Sequence, residues 1–580
     1  MRKVFSFLAL SLLMSASVFG QSMIKVNQVG YYPDEEKVAV VEADAKATTF
    51  TLKDSKGKTV WSGKAVRKSV SPFSNKERQV VDFSKVTKPG KYTLHAGRYS
   101  QLVIINQSAL AEIAQAGMQA FYLQRTGTAI EKMYAGKYAR PAAHPDNAVS
   151  VHLSAVSDGR PAGTIISSPY GWYDAGDYNK YIVNSGFTVG TLLGTYELYE
   201  PYLSAMKLNI PENTNDVPDF LDEIMYNLKW MITMQDPADG GVYHKLTTPN
   251  FEGFVMPTEC HQQRYVVQKS TPAALDFAAT MALASRIYNK YPVYRDFAEQ
   301  AKKAAEKAYA WAVKNPTVLY DQPGNNEKYE PKVNTGMYDD SLTVDEFFWA
   351  STELYFTTKQ NSYLEQAKQF IPKSYKIPVW GELAGLGIHE WMTQSLTGNT
   401  EGVDFPVERM KQMMIEDCEK GITTIPTSSF NSPHGNSVKD FPWGSNAEHC
   451  AGQGIAMIYA YKISGDKKYL NAALENADYL LGRNATGYCF VTGFGTQKVM
   501  HPHQRLSAAD GIEDPLPGFL AGGPNPGQQD AQYVKTYPSK YADESYTDDQ
   551  SSYASNEIAI NWNAYLVSLM ASVDAELGKK

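Results

Sequence analysis

Hydrophobic and polar positions follow two different periods along the chain, and the change between them falls near residue 106. Before it, apolar residues alternate with polar ones in short runs: Lys37-Val38-Ala39-Val40-Val41, Thr49-Phe50-Thr51-Leu52, Gln79-Val80-Val81-Asp82-Phe83, Lys91-Tyr92-Thr93-Leu94 and Gln101-Leu102-Val103-Ile104-Ile105. A period of two means that each strand buries one face. Asp54-Ser55-Lys56-Gly57 and Lys88-Pro89-Gly90 are turn signals between runs. The pattern predicts a small all-β sandwich of the immunoglobulin-like kind over residues 21–106.

After Ser108 the spacing becomes three and four. Leu110, Ile113, Ala114, Gly117, Met118 and Phe121 form one stripe, and Val217, Phe220, Leu221, Ile224, Leu228, Met231 and Ile232 a second. Similar stripes run over 187–199, 273–288, 297–312, 345–357, 452–463, 468–481 and 558–573. With no strand series between them, they predict one large all-α domain over 107–580. No sequence period repeats cleanly, which disfavours a solenoid. Two segments escape the helical pattern, 421–445 and 493–556, both rich in Gly, Pro, Asn and Ser. Irregular segments of that length in a compact domain are usually functional or disordered, and the histidines, arginine and aromatics in the second favour function.

Residues 1–20 have the form of a secretory signal peptide: Arg2 and Lys3, then a mostly apolar run from Val4 to Met14, then Ser17-Val18-Phe19-Gly20. The run is too short to span a membrane, and no cysteine precedes Cys260, so a lipid anchor is not expected. Export to a periplasm or the medium is. The formal net charge is −7, and losing Arg2 and Lys3 makes it more negative by two. This disfavours nucleic acid and anionic membranes as partners and is compatible with a neutral polysaccharide. Cys260, Cys418, Cys450 and Cys489 contain no close pair, so neither a CxxC metal site nor a disulfide framework is indicated.

The chemistry concentrates in Gly171-Trp172-Tyr173-Asp174-Ala175-Gly176-Asp177-Tyr178 and, far downstream, in the run from Tyr546-Thr547-Asp548 to Tyr553-Ala554-Ser555-Asn556-Glu557. Paired carboxylates in contrasting environments, set among rings that stack on sugars, suit cleavage of a glycosidic bond: one group protonates the leaving oxygen, another activates water. Alone, Asp-x-x-Asp is equally a helix cap or half a calcium site. Its aromatic flanks, Trp172, Tyr173, Tyr178 and Tyr181, distinguish it. Glu557 begins a helical stripe, where the bland reading is a carboxylate complementing the helix dipole; nearby aspartates would push its pKa the other way.

The spacing Tyr546-x-Asp548, Tyr553, Glu557, Ala559 and Asn563-Ala564 resembles the C-terminal signature of glycoside hydrolase family 9. Gly171 to Asp177 resembles the family's aspartate motif, Pro502-His503-Gln504-Arg505 its His-x-Arg motif, and Phe441-Pro442-Trp443-Gly444-Ser445-Asn446 a further segment. The N-terminal part, with Val26-Asn27-Gln28-Val29-Gly30-Tyr31, is similar to the Ig-like domain of many bacterial members.

The resemblance implies an inverting hydrolase of β-1,4-glucosidic bonds on an (α/α)6 barrel. Asp177 would be the base, Asp174 would help hold the water, and Glu557 would be the acid. His503, Arg505 and Asp548 would contact the sugar beside the scissile bond, with Trp443, Trp172, Tyr553 and Tyr546 as further substrate-facing rings. Inversion needs acid and base roughly 6.5–9.5 Å apart, so that water fits behind the ring.

The expected substrate is a cellulose-like or mixed-linkage β-glucan attacked internally. Exo-action on oligosaccharides, a xyloglucan substrate, and mere glycan binding are the alternatives. No cofactor is required. Calcium is compatible with the many surface acids but has no recognisable loop. The structural zinc of some relatives is expected to be absent, because Thr126 and Ala143 stand where thiolates would be needed. A monomer is expected.

Overall fold

The computed structural model describes residues 22–578. The leader at residues 1–20 lies outside them. The N-terminal unit is a sandwich of two four-stranded sheets. Its strands are β1 (Ile24–Lys25), β2 (Val38–Glu42), β3 (Phe50–Asp54), β4 (Thr59–Gly63), β5 (Arg67–Val70), β6 (Glu77–Asp82), β7 (Gly90–Ala96) and β8 (Tyr99–Ile105). One sheet has the order β1-β2-β6-β5 and the other β4-β3-β7-β8. The inward residues Ala39, Val41, Phe50, Leu52, Val81, Phe83, Leu94 and Val103 make a core of their own. The alternation predicted β2, β3, β6, β7 and β8. It missed β1, which is only two residues long, and β4 and β5, where too few residues are buried to write a pattern.

The helical unit is a double ring, with α1 (Ala111–Leu123), α2 (Ile182–Leu198), α3 (Asp219–Met231), α4 (Thr271–Tyr288), α5 (Arg295–Lys314), α6 (Val344–Thr358), α7 (Asn361–Gln369), α8 (Ala384–Leu396), α9 (Val407–Thr424), α10 (Gly452–Ser464), α11 (Lys467–Leu480) and α12 (Ile560–Leu577). The even-numbered helices pack each on the next, and α12 closes back on α2; the odd-numbered ones lie outside. Among the described residues this gives six inner and six outer helices, an (α/α)6 barrel.

Composition explains the sorting. In α4 the sequence is apolar or small all round and almost every residue is buried. In α5 only an alanine-rich stripe, Ala298, Ala301, Ala305, Ala308 and Ala312, is covered, and Lys303 pairs with Glu299 on the solvent face. A helix apolar all round sits inside, and one with a single stripe sits on the surface. Ser270 caps α4 by accepting the Ala273 amide, with a proline in its first turn.

One feature was not expected from the sequence. The outer-to-inner connections carry a five-stranded sheet of very short strands, among them Val149–Val151, Lys180–Tyr181 and Lys245–Thr247. The sandwich is also bonded to the barrel: Asn27 donates to Asp478 at 2.7 Å, Tyr32 to Asp574 at 2.5 Å, and the buried Arg78 guanidinium lies 4.5 Å from the Phe430 ring centre. Asp478 also pairs with Arg483 at 2.8 Å. These buried polar contacts make the sandwich a brace. All four cysteines are free thiols, three of them buried. Among the described residues no helix is long and apolar enough to cross a membrane.

Candidate active site

The connections that enter the N-termini of the inner helices converge on one face, where they line a cleft of about 420 Å³. Asp174, Asp177 and Tyr181 come from the connection before α2, Phe251 from that before α4, and Met337 and Tyr338 from that before α6. Trp380 precedes α8, Trp443 and Glu448 precede α10, and Glu557, Asn561 and Trp562 stand at the start of α12. Residues almost four hundred positions apart meet because the ring closes.

The two aspartates are held differently. Asp177 accepts hydrogen bonds from the Asn179 amide at 2.7 Å and the Tyr181 hydroxyl at 3.1 Å. Asn179 is oriented in turn by the Thr248 N–H, 2.9 Å from its side-chain oxygen. Asp174 accepts from the Asn184 amide and the Tyr338 hydroxyl, both at 2.7 Å. Burial, and then the charge of Asp177, push the Asp174 carboxyl above the usual carboxylate range.

Glu557 is in extended conformation just ahead of α12, so it is not part of the helix whose dipole would favour its anion. Burial, then Asp177, raise its pKa to about 8; Arg505 and the Gly176 amide pull the other way. The competition left open by the sequence is thus decided by desolvation. One backbone frame fixes both carboxyl-bearing segments: the Ile560 amide donates to the Asp174 carbonyl at 2.8 Å, and the Gly522 amide to the Glu557 carbonyl at 2.9 Å.

Gly176 is where the aspartate loop touches the His503 segment. A Cβ there would stand 2.2 Å from the His503 carbonyl oxygen. Arg505 closes the same joint, its amide and its Nη1 both donating to the Gly176 carbonyl, at 3.0 and 2.8 Å. Gly176→Ala is expected to force the two loops apart and lower turnover by about 10²-fold, since a misplacement of an ångström costs that much. Steady-state kinetics beside a melting curve that stays close to the parent's would verify it.

His503 Nδ1 donates to the Gln550 carbonyl at 2.8 Å, because a carbonyl only accepts, and burial lowers the imidazole pKa to about 4. The ring is neutral, with Nε2 an acceptor. Arg505 donates through Nε to the Glu252 carbonyl at 2.8 Å and lies against Phe251 and Phe254. Trp443 is 41 % exposed at the rim, its ring 5.4 Å from that of Tyr553.

Two sequence expectations are corrected. Trp172 is fully buried, its ring tilted against that of Phe121 at 4.5 Å and donating to Glu223 at 2.9 Å, so it is core and does not face substrate. Tyr546 is buried as well, and its hydroxyl donates to Asn556 at 2.6 Å. Asp548 is half-buried and accepts the amides of Met500 and His501 at 2.9 and 2.8 Å, in the loop that leads to His503; like His503, Arg505 and Tyr553, it stands beyond the residues that line the cleft itself. Conversely, Tyr338, Trp380, Glu448 and Trp562 line the cleft and lie outside the motifs read from the sequence.

Among the described residues no group of three or more His, Cys, Asp or Glu is arranged to hold a metal ion. At the positions weighed for zinc, the Thr126 hydroxyl donates to the Tyr170 carbonyl and His144 meets the Tyr173 hydroxyl at 2.8 Å.

A xyloglucan-specific endo-β-1,4-glucanase of Bacteroides ovatus is 51 % identical over 574 residues, covering 99 % of this chain and 97 % of the relative. Endoglucanase D of Acetivibrio thermocellus is 33 % identical over 95 % of this chain and 83 % of its own length. A solved structure described as Bacteroides ovatus GH9 superposes with a TM-score of 0.90 at 50 % identity, over 96 % of this chain and 99 % of the other. The model of the cellulase N-terminal Ig-like domain matches residues 20–101, and that of glycosyl hydrolase family 9 matches residues 111–570. The chain therefore belongs to glycoside hydrolase family 9, as an enzyme with an Ig-like domain in front of its catalytic barrel.

Proposed function

We propose that the protein hydrolyses internal β-1,4-glucosidic bonds of a glucan with inversion, Glu557 acting as acid, Asp177 as base, and Asp174 holding the water with it. The observation that carries this reading is the contrast within one cleft: burial raises the Glu557 pKa to about 8, while the Asp177 carboxyl accepts hydrogen bonds from two donors, Asn179 and Tyr181. Asp177 deprotonates water on one face of the glucosyl ring, and the hydroxide attacks the anomeric carbon. Glu557 gives its proton to the departing oxygen on the other face. His503 and Arg505 steady the sugar at the joint between the loops.

Exposed rings at the rim, Trp443 and Phe251, favour a cleft that admits a chain along its length, hence endo-action. Xyloglucan is the preferred glucan of this reading, supported by the substrate named for the 51 % identical relative. Product lengths over time from xyloglucan and from barley-type β-glucan test both points. Mixed-length oligomers with an early viscosity drop and a higher kcat/KM on xyloglucan are expected; a single short product from the start, with viscosity unchanged, would defeat endo-action.

The acid assignment also sets the alkaline side of the pH profile. Glu557 works only when protonated, so kcat/KM is expected to fall as pH rises through about 8, approaching a tenfold loss per unit beyond it. Initial rates in a series of buffers check this. A plateau continuing to pH 10 would remove Glu557 from the role.

A further inference from the structure

Glu448 is a cleft carboxyl for which the hydrolytic scheme has no use. It sits on a π-helical turn, Asn446–Ala451, that leads into α10. Such widened turns are rare and concentrate at functional sites. This one is rooted in the frame that holds the acid: the Asn446 amide donates to the Gly522 carbonyl at 3.0 Å, its side chain to the Ala521 carbonyl at 2.9 Å, and Gly522 itself donates to Glu557. The Ser445 hydroxyl adds a bond to the Pro524 carbonyl at 2.8 Å.

The turn brings Glu448 into the cleft wall beside Trp562, whose indole N–H opposes the rise that burial imposes on the carboxyl pKa. Glycine at 444 makes room for that indole, since a Cβ there would lie 2.7 Å from the Trp562 ring nitrogen. Trp380, Trp443 and Trp562 share the cleft wall with Glu448. A carboxyl among indoles loses hydration and regains it only from a polar partner. A carboxyl in that wall has acceptor capacity for the hydroxyls of a ligand in the cleft. A pyranose has the matching shape, an apolar face for an indole and hydroxyls around its edge.

We propose that Glu448 is a specificity-determining residue that binds adjacent ring hydroxyls of a glucosyl unit stacked on the tryptophan wall, with Trp562 fixing its orientation. This rests on the glucan-hydrolase reading above, and the test separates the two. In the Glu557→Gln chain, which binds without turning over, calorimetry with cellohexaose and with a xyloglucan oligosaccharide gives the reference Kd. Adding Glu448→Gln, isosteric but weaker as an acceptor, is expected to raise Kd about tenfold at pH 9, where Glu448, whose pKa burial raises to about 8, is a carboxylate. Trp562→Phe, which keeps a ring but removes the N–H, is expected to raise it by a smaller factor.

In the otherwise unaltered enzyme, the loss in kcat/KM from Glu448→Gln is expected to fall on KM. A purely structural role would instead disturb Glu557 through Gly522 and lower kcat. An unchanged Kd in the double variant, or a fall confined to kcat, overturns the proposal. Absence of any glucan binding by Glu557→Gln itself would overturn the functional reading beneath it.

Discussion

Glu557→Gln is expected to lower kcat on an unactivated glucan by about 10² to 10⁴, the usual contribution of a general acid, or about 2.7–5.4 kcal/mol of transition-state stabilisation. The amide has nearly the shape of the acid, and Glu557 acts through its proton, so the loss reports chemistry more than packing. Two further signs distinguish an acid from a residue that only positions substrate. The alkaline fall near pH 8 should disappear from the profile of the variant, because the titrating group is gone. Dinitrophenyl β-cellobioside, whose leaving group departs without protonation, should lose far less rate than a glucan does. Near-parental turnover of the glucan by the variant would assign the acid elsewhere.

What the sequence disclosed, and what it concealed, follows from the range of the interactions involved. Local periods carry the secondary structure: the full-round apolar character of α4 and the alanine stripe of α5 are both visible in sequence windows of a single helix. Shorter elements lack that signal. Helix α7 and strands β4 and β5 bury too little to be patterned, and α8 and α9 were passed over between more obvious stripes. In the cleft, Asp174, Asp177 and Glu557 were legible because they stand beside other distinctive residues.

Single residues were not legible, since Tyr338, Trp380 and Trp562 are recognisable only after ring closure puts their connections on one face. The failures at Trp172 and Tyr546 have the same origin. A ring in a motif is marked as significant, but the motif does not say whether the ring points to the cleft or, as here, holds a neighbouring segment from behind.

Asp177 and Asp174 should respond unequally to the same change, and this is the sharpest test of which one is the base. Asp174 is held toward its neutral form by burial and by the charge of Asp177. Asp174→Asn therefore replaces a neutral group by a similar one, and should cost about tenfold or less. Asp177→Asn removes the anion that takes the proton from water, and should cost about 10² to 10⁴. Asp177→Ala adds a chemical readout: it opens space behind the ring, where azide needs no deprotonation to attack the anomeric carbon. With Glu557 still protonating the leaving oxygen, azide should restore part of the rate and yield a glycosyl azide of inverted, α configuration. Nuclear magnetic resonance of the product establishes the configuration. If Asp174→Asn proved the more damaging change and azide rescued only Asp174→Ala, the two aspartates would exchange roles, and the donors from Asn179 and Tyr181 would be holding the water-positioning carboxylate instead of the base.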